Sequence, residues 1–229
     1  MRRALVIILL VLLADQALKV WVKLNFAYGE AVPLFGDWAY LHFIENRGMA
    51  FGMEFGGEGG KLALTWLRIA AVLGIGYGLR RMVAHGAGAL QVVSVSLVFA
   101  GALGNIIDSV CYGKLFSAST PFRAAELLPA EGGYGKWFHG AVVDMFHFPI
   151  WRGRFPQWVP GIGGEAFEFF QPVFNVADAA ITVGIGLYIV AQRRARRRQA
   201  LPMATAPDPR PADAGPVMAG DDASGASGA

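Results

Sequence analysis

Asp15, Lys19, Arg68, Asn105, Asp108, Asn175 and Asp178 are polar residues set inside otherwise apolar runs, and Asp144 lies in a further one, Gly140-Ala141-Val142-Val143-Asp144-Met145-Phe146. If such runs cross a bilayer, an ionisable side chain near a helix centre costs roughly 2.5–3.5 kcal/mol on insertion scales, so each one calls for a physical reason. Two carboxylates brought together where water is scarce cannot both ionise easily and tend to share one proton. That state suits peptide hydrolysis: one carboxylate activates a water as general base, while its protonated partner hydrogen-bonds the scissile carbonyl and later helps protonate the leaving amine. The alternative is that each aspartate caps a helix end or bonds a neighbouring asparagine. Three acids gathered on one side favour function.

The elements that position these residues follow from composition. The 229 residues are 55% hydrophobic and only 16% charged, with mean hydropathy +0.43. A span needs about 20 mostly apolar residues to cross roughly 30 Å of hydrocarbon. Four stretches qualify: 4–24, 62–82, 88–110 and 172–192. The first follows Met1-Arg2-Arg3 as a secretory signal would, but it is long, carries Asp15 and Lys19 and ends without an Ala-x-Ala-like site, which makes it a retained helix. The expected fold is an all-α membrane protein of four transmembrane helices with a small extracytoplasmic β-sheet and loop region.

Basic residues set the orientation. Arg2 and Arg3, Arg80 and Arg81, and the run Arg193 to Arg198 all fall on one side if the chain crosses four times, so both termini are expected to be cytoplasmic. Lys19 and Lys23, at the outer end of the first helix, oppose this but are outnumbered. The formal net charge of +3 is therefore a topology signal and not a sign of nucleic-acid binding. Helix three then runs outward and helix four inward, which puts Asp108, Asp178, Asn105 and Asn175 in one outer layer. Asp178 is expected six residues inside helix four, roughly 9 Å of rise.

Residues 1–198 make up the membrane domain, and 199–229, rich in Gly, Ala, Pro and Asp, read as a disordered cytoplasmic tail. The outer loop 25–61 contains a strand-like stretch from Trp38 to Ile44, which suggests a small sheet at the membrane surface. The connection at 83–87 is short, so helices two and three form an antiparallel hairpin. The outer loop 111–171 carries Tyr134, Trp137, Phe138, Phe146, Trp151 and Trp158, whose rings suit the headgroup region. Cys111 is the one cysteine, so no intramolecular disulfide holds these loops.

Other chemistries are poorly supplied. His42, His85, His139 and His147 lack ligand spacing, so no metal or other cofactor is expected. A serine–lysine peptidase built on Ser109, Ser117 or Ser119 would draw on Lys114 or Lys136, which lie in loops without a burial signal. The glycines at 74, 76, 78, 101 and 104 suit close helix packing better than phosphate binding. A proton-coupled transporter would place its acids near mid-membrane and commonly carry paired repeats, neither of which is visible here. A lipid-anchored scaffold would leave the acids unexplained. Asp15 and Lys19, four apart with the acid first, form either a helical ion pair or a substrate contact. Arg68 either snorkels to the outer headgroups or faces the site.

Five patterns in order, Asp15-Gln16-x-x-Lys19, Asn46-x-Gly48-x-Ala50-Phe51, Gly104-Asn105-x-x-Asp108, Val142-Val143-Asp144 and Phe174-Asn175-x-Ala177-Asp178, resemble the lipoprotein signal peptidases, aspartyl peptidases of the type II class. The resemblance implies Asp144 and Asp178 as the catalytic pair, cutting diacylglyceryl-modified prolipoproteins on the amino side of the lipidated cysteine. It implies that Asn46, Gly48, Asn105, Asp108 and Asn175 orient substrate or hold the pair, with Asp15 and Lys19 stabilising the lower wall. A monomer in the bacterial cytoplasmic (inner) membrane, surrounded by lipid, is expected, with its active site near the outer face as the basic residues orient the spans. Two features depart from the family pattern. Ser109 follows Asp108 where an arginine is usual, leaving Arg68 as a candidate to replace that charge, and the segment 111–139 is longer than the usual connection.

Overall fold

The computed structural model describes residues 1–47, 57–169 and 171–200. Met1–Gln192 form one unit and Arg193–Ala229 a second, whose described part is helical. Gly48, Ala50 and Phe51, and the tail from 201 onward, lie outside the described residues.

Among the described residues, four helices are long and apolar enough to cross a membrane: α1 (Arg2–Asn25), α2 (Gly57–Ala84), α3 (Ala89–Ile107) and α5 (Val176–Ala200). Their side chains match a lipid surround. Leu5, Leu9, Leu10 and Leu13 of α1, Leu67 and Leu73 of α2, and Val183 and Ile185 of α5 are all exposed, and in water such continuous apolar surface would be costly. The chain leaves α2 through Gly86, whose φ of +70° is the left-handed conformation that ends helices. It then starts α3 at once, so the two helices are antiparallel neighbours.

Close helix approach depends on particular glycines. A Cβ on Gly101 would lie 2.2 Å from the Ala177 carbonyl oxygen, and one on Gly104 would lie 2.7 Å from Asp15 Oδ2. Gly101 therefore lets α3 meet the α5 backbone almost directly, and Gly104 makes room for the Asp15 carboxylate of α1. Gly76 abuts Phe99, but Gly74 and Gly78 have nothing within 4 Å, so the packing role expected of all five glycines fails for those two. Among the described residues, both positions open onto empty space.

The extramembrane part is a four-stranded antiparallel sheet in the order β1-β2-β3-β6, built from β1 (Ala31–Phe35), β2 (Ala39–Asn46), β3 (Val142–His147) and β6 (Val173–Phe174). The first outer loop supplies two strands, the second supplies β3, and β6 comes from residues 173–174, at the expected start of the fourth span. Expecting the sheet from 25–61 alone therefore captured only half of it, because strand pairing joins segments about a hundred residues apart. A separate hairpin pairs β4 (Trp151–Arg154) with β5 (Ala166–Phe169). Beneath the four-stranded sheet, Val22 and Phe26 of α1 meet Leu41, Phe43, Val143, Met145, Tyr112 and Phe116 in the main buried cluster.

Two boundaries differ from the sequence reading. Helix α3 ends at Ile107 and passes through a π-helical turn, Asp108–Tyr112, into the short α4 (Gly113–Leu115). Such turns widen a helix and concentrate at functional sites. Helix α5 begins at Val176, not near 172, because Pro172 and the β6 pairing to β3 hold the preceding residues extended. Asp178 is thus two residues inside the start of its helix and not six.

Candidate active site

The first turn of α5 places Asp178. The Asn175 side chain accepts the Asp178 backbone N–H at 2.9 Å, and Asp178 Oδ2 reaches back to the Asn175 N–H at 3.4 Å. This reciprocal arrangement closes two helix N–H groups that would otherwise be orphaned, and a carboxylate there is favoured by the helix dipole. The capping alternative weighed from sequence is therefore realised for Asp178, but it engages the carboxylate only in part. Asp178 Oδ1 accepts a bond from Asn105 Nδ2 at 2.8 Å, and the side chain is half-buried on a cavity.

Strand β3 places Asp144 opposite Ile44 of β2, just past a bulge between Leu41 and Ile44. Bulges insert a residue and re-aim side chains, and they recur beside active sites. Asp144 is buried, and its Oδ1 accepts a 2.7 Å bond from Asn175 Nδ2. Asn46 hydrogen-bonds it as well. The Asn175 amide also reaches Asn105 Oδ1 and the Val143 carbonyl, each at 3.2 Å. One side chain thereby ties together the strand carrying Asp144, the helix carrying Asn105 and the helix start carrying Asp178.

Both carboxylates line a single cavity of about 290 Å³, together with Asn46, Arg68 and Asn105 and with apolar walls from α2, α3 and α5. Burial pushes the Asp144 carboxyl from the ordinary 3.8 up to about 7; the nearby Asp178 charge adds to the shift, and the Asn175 and Asn46 hydrogen bonds oppose it. Such a group is partly protonated near neutral pH beside a second carboxylate, which is the protonation state that acid–base hydrolysis needs.

Beneath this cavity lies a buried ion cluster. Lys19 Nζ is 2.9 Å from Asp15 Oδ2 and 2.7 Å from Asp108 Oδ2, and it donates to Asn105 Oδ1 at 2.8 Å. Asp15, Lys19 and Asp108 are all fully buried. Asp108 Oδ2 also accepts the Val143 N–H at 3.3 Å, so the cluster reaches the strand carrying Asp144. Asp15 and Lys19 therefore form the helical ion pair weighed above, enlarged by Asp108. Gln16 Nε2 donates to Asp108 Oδ1 at 2.9 Å and to Asp15 Oδ2 at 3.1 Å, while its oxygen accepts the Tyr112 hydroxyl at 3.2 Å.

Arg68 brings a positive charge to the cavity and acts on both Asp178 and Asp144, so it faces the site. Ser109 is buried and donates to the Asn105 carbonyl at 2.9 Å, which leaves no cation at its own position.

Sequence reasoning gave no role to Gln16 or Tyr112, and it read Lys23 only as a topology charge. Lys23 is buried, ion-paired to Glu45, and donates to Ser119 Oγ at 3.0 Å. Its signal was present in the sequence, since residues 15, 19 and 23 recur every fourth position along one helix face. Lys114 and Lys136 are exposed, without the burial that would lower a lysine's pKa for a serine–lysine pair.

Comparison with known proteins gives one consistent family. Residues 7–193 match the family described as signal peptidase (SPase) II. The lipoprotein signal peptidase of Porphyromonas gingivalis is 46% identical over 189 residues, covering 82% of this chain and 81% of that protein. That of Amoebophilus asiaticus is 38% identical over 190 residues, 82% of this chain and 76% of that protein. Two solved structures, each described as a bacterial membrane enzyme, share the fold. One has a TM-score of 0.55 and 23% identity and covers 84% of this chain and 93% of its own. The other has a TM-score of 0.53 and 20% identity and covers 93% and 96%.

Proposed function

The chain belongs to the signal peptidase II family and is a bacterial multi-pass inner-membrane peptidase, and from that premise we propose that it removes the signal peptide of diacylglyceryl-modified prolipoproteins by an aspartyl mechanism run by Asp144 and Asp178. The cut falls on the amino side of the lipidated cysteine. Both termini face the cytoplasm and the site lies near the outer face. The observation that carries the reading is the single cavity lined by both carboxylates, with Asn175 bonded to each residue.

In this reading Asp178, whose two oxygens accept bonds from Asn105 and from the Asn175 backbone, is the ionised partner and takes a proton from water. The water oxygen adds to the scissile carbonyl carbon. Asp144, carrying the shared proton, hydrogen-bonds the carbonyl oxygen as negative charge develops there and then delivers a proton to the leaving nitrogen as the C–N bond breaks. The products are a signal peptide ending in a carboxylate and a lipoprotein beginning with the free amine of its cysteine. Arg68 stabilises the added negative charge, and the Lys19 cluster holds Asn105 in place.

The test is cleavage of a diacylated prolipoprotein by the full chain reconstituted in lipid. Wild type cuts, whereas Asp144→Asn and Asp178→Asn insert and fold but lose on the order of a hundred- to ten-thousandfold in rate, the scale expected when a general acid or base is removed. Appreciable turnover by either variant rules out the paired-acid mechanism, and turnover abolished by a chelator points to a metal instead.

A further inference from the structure

A second cavity, of about 660 Å³, adjoins the first and shares Asp144 and Asn46 with it. The two differ in chemistry. The first runs among the spans, with walls from Ala71, Val72, Ala102, Ile106 and Ile181. The second has Tyr28, Ile44 and Val173 in its lining, but more of its wall is polar: Glu45, Arg47, Ser119 and Gln171 supply an acid, a guanidinium, a hydroxyl and a carboxamide. Its volume lies within the ~300–1,000 Å³ typical of ligand clefts.

Its wall is fixed. Ser119 Oγ accepts from Lys23 Nζ at 3.0 Å and donates to Glu45 Oε1 at 3.0 Å. Lys23 Nζ sits over the rings of Phe43, Phe116 and Tyr134 at 5.9, 5.4 and 5.0 Å, a desolvated cation–π environment. The Lys23 carbonyl accepts the Ala125 N–H at 3.1 Å, and the Thr120 carbonyl accepts the Tyr28 N–H at 2.9 Å. The long segment after α4 is thus bonded to the end of α1 and to β2, and it forms one side of the second cavity. With Glu45 paired to Lys23, and with Asp144 carrying the proton that its burial favours, Arg47, exposed just after β2, leaves the rim of this cavity positive.

Asp144 lines both cavities, so a peptide bond held there would have one flank in each. The apolar part of a signal peptide matches the walls among the spans, so the chain beyond the cut enters the polar cavity. We propose that this outer cavity binds the polypeptide that follows the lipidated cysteine, and that Arg47 makes it select against cationic side chains there. The proposal rests on the peptidase reading above and adds a specificity to it.

The experiment compares two diacylated substrates that differ only in Asp or Lys at the second and third positions after the cysteine, cut by reconstituted full-length protein. Wild type is expected to favour the Asp substrate about tenfold in kcat/KM, Arg47→Gln to bring the ratio close to one, and Arg47→Glu to invert it. Each ratio is internal to one preparation, so loss of folded protein does not alter it. A ratio unchanged across the three proteins, or one near unity in wild type, overturns the proposal while leaving the peptidase reading intact. Failure of wild type to cut either substrate overturns the peptidase reading itself.

Discussion

Asp15 Oδ1 accepts the backbone N–H of Ala177 at 2.9 Å, across 162 positions of sequence. A carboxylate on the first helix thereby caps the first turn of the last one, next to Asp178. Anionic groups at helix N-termini are favoured by the dipole and by the unpaired N–H groups there.

Asp15→Ala should therefore shift Asp178 and not merely weaken the fold. The expected result is a ~10–100-fold loss of kcat/KM, in line with small misplacements of reacting groups, with Asp15→Asn retaining more activity because it keeps an oxygen toward Ala177. Equal losses in the two variants would show that the charge matters and not the cap.

Lys19→Met leaves Asp15 and Asp108 buried without their common cation. Removing one partner of a buried pair typically costs about 3–5 kcal/mol. Thermal unfolding in detergent should show a large drop in Tm, and adding Asp108→Asn should recover part of it by removing one of the stranded charges. A double variant no more stable than Lys19→Met would contradict this account.

The raised Asp144 carboxyl links both stability and activity to pH. The folded state binds that proton more tightly than the unfolded chain does, so between the ordinary value near 3.8 and about 7 the native state carries the extra proton. Stability accordingly falls as pH rises through that window and is flat above it. The total is on the order of 4 kcal/mol. Asp144→Asn cannot ionise and should lose less Tm than wild type between pH 5 and pH 8. In the same window, kcat/KM of wild type should show a descending limb near pH 7 as the shared proton leaves. Parallel Tm curves for the two proteins would sink the assignment.

Gly101→Ala and Gly74→Ala make a matched pair. The first puts a methyl 2.2 Å from the Ala177 carbonyl oxygen, pushing α5 off α3, and the second meets nothing within 4 Å. Cleavage should fall at least tenfold for the first, while the second should be neutral or slightly stabilising, by up to about 1 kcal/mol, since alanine is the better helix former. Comparable activity in both variants would mean that the close α3–α5 approach does not position Asp178.

The amino-acid sequence by itself determined the spans and the identity of the polar residues inside them. A run of some twenty apolar residues has few other stable solutions in a bilayer, and each buried charge is costly enough to mark itself. It also placed Asn105 with Asp108, and Asn175 with Asp178, because those pairs are one helical turn apart. What it could not determine was which distant segments pair. That β3 joins β2 through a bulge opposite Asp144, that Asp15 caps α5, and that Lys23 holds Ser119 and Glu45 together are all long-range facts. Hydropathy and spacing report only on neighbours within a helix turn or a strand. The meeting of Asp144 with Asp178 depends on a sheet drawn from two loops and on a glycine that lets two helices touch, so only the tertiary structure could bring them to one cavity.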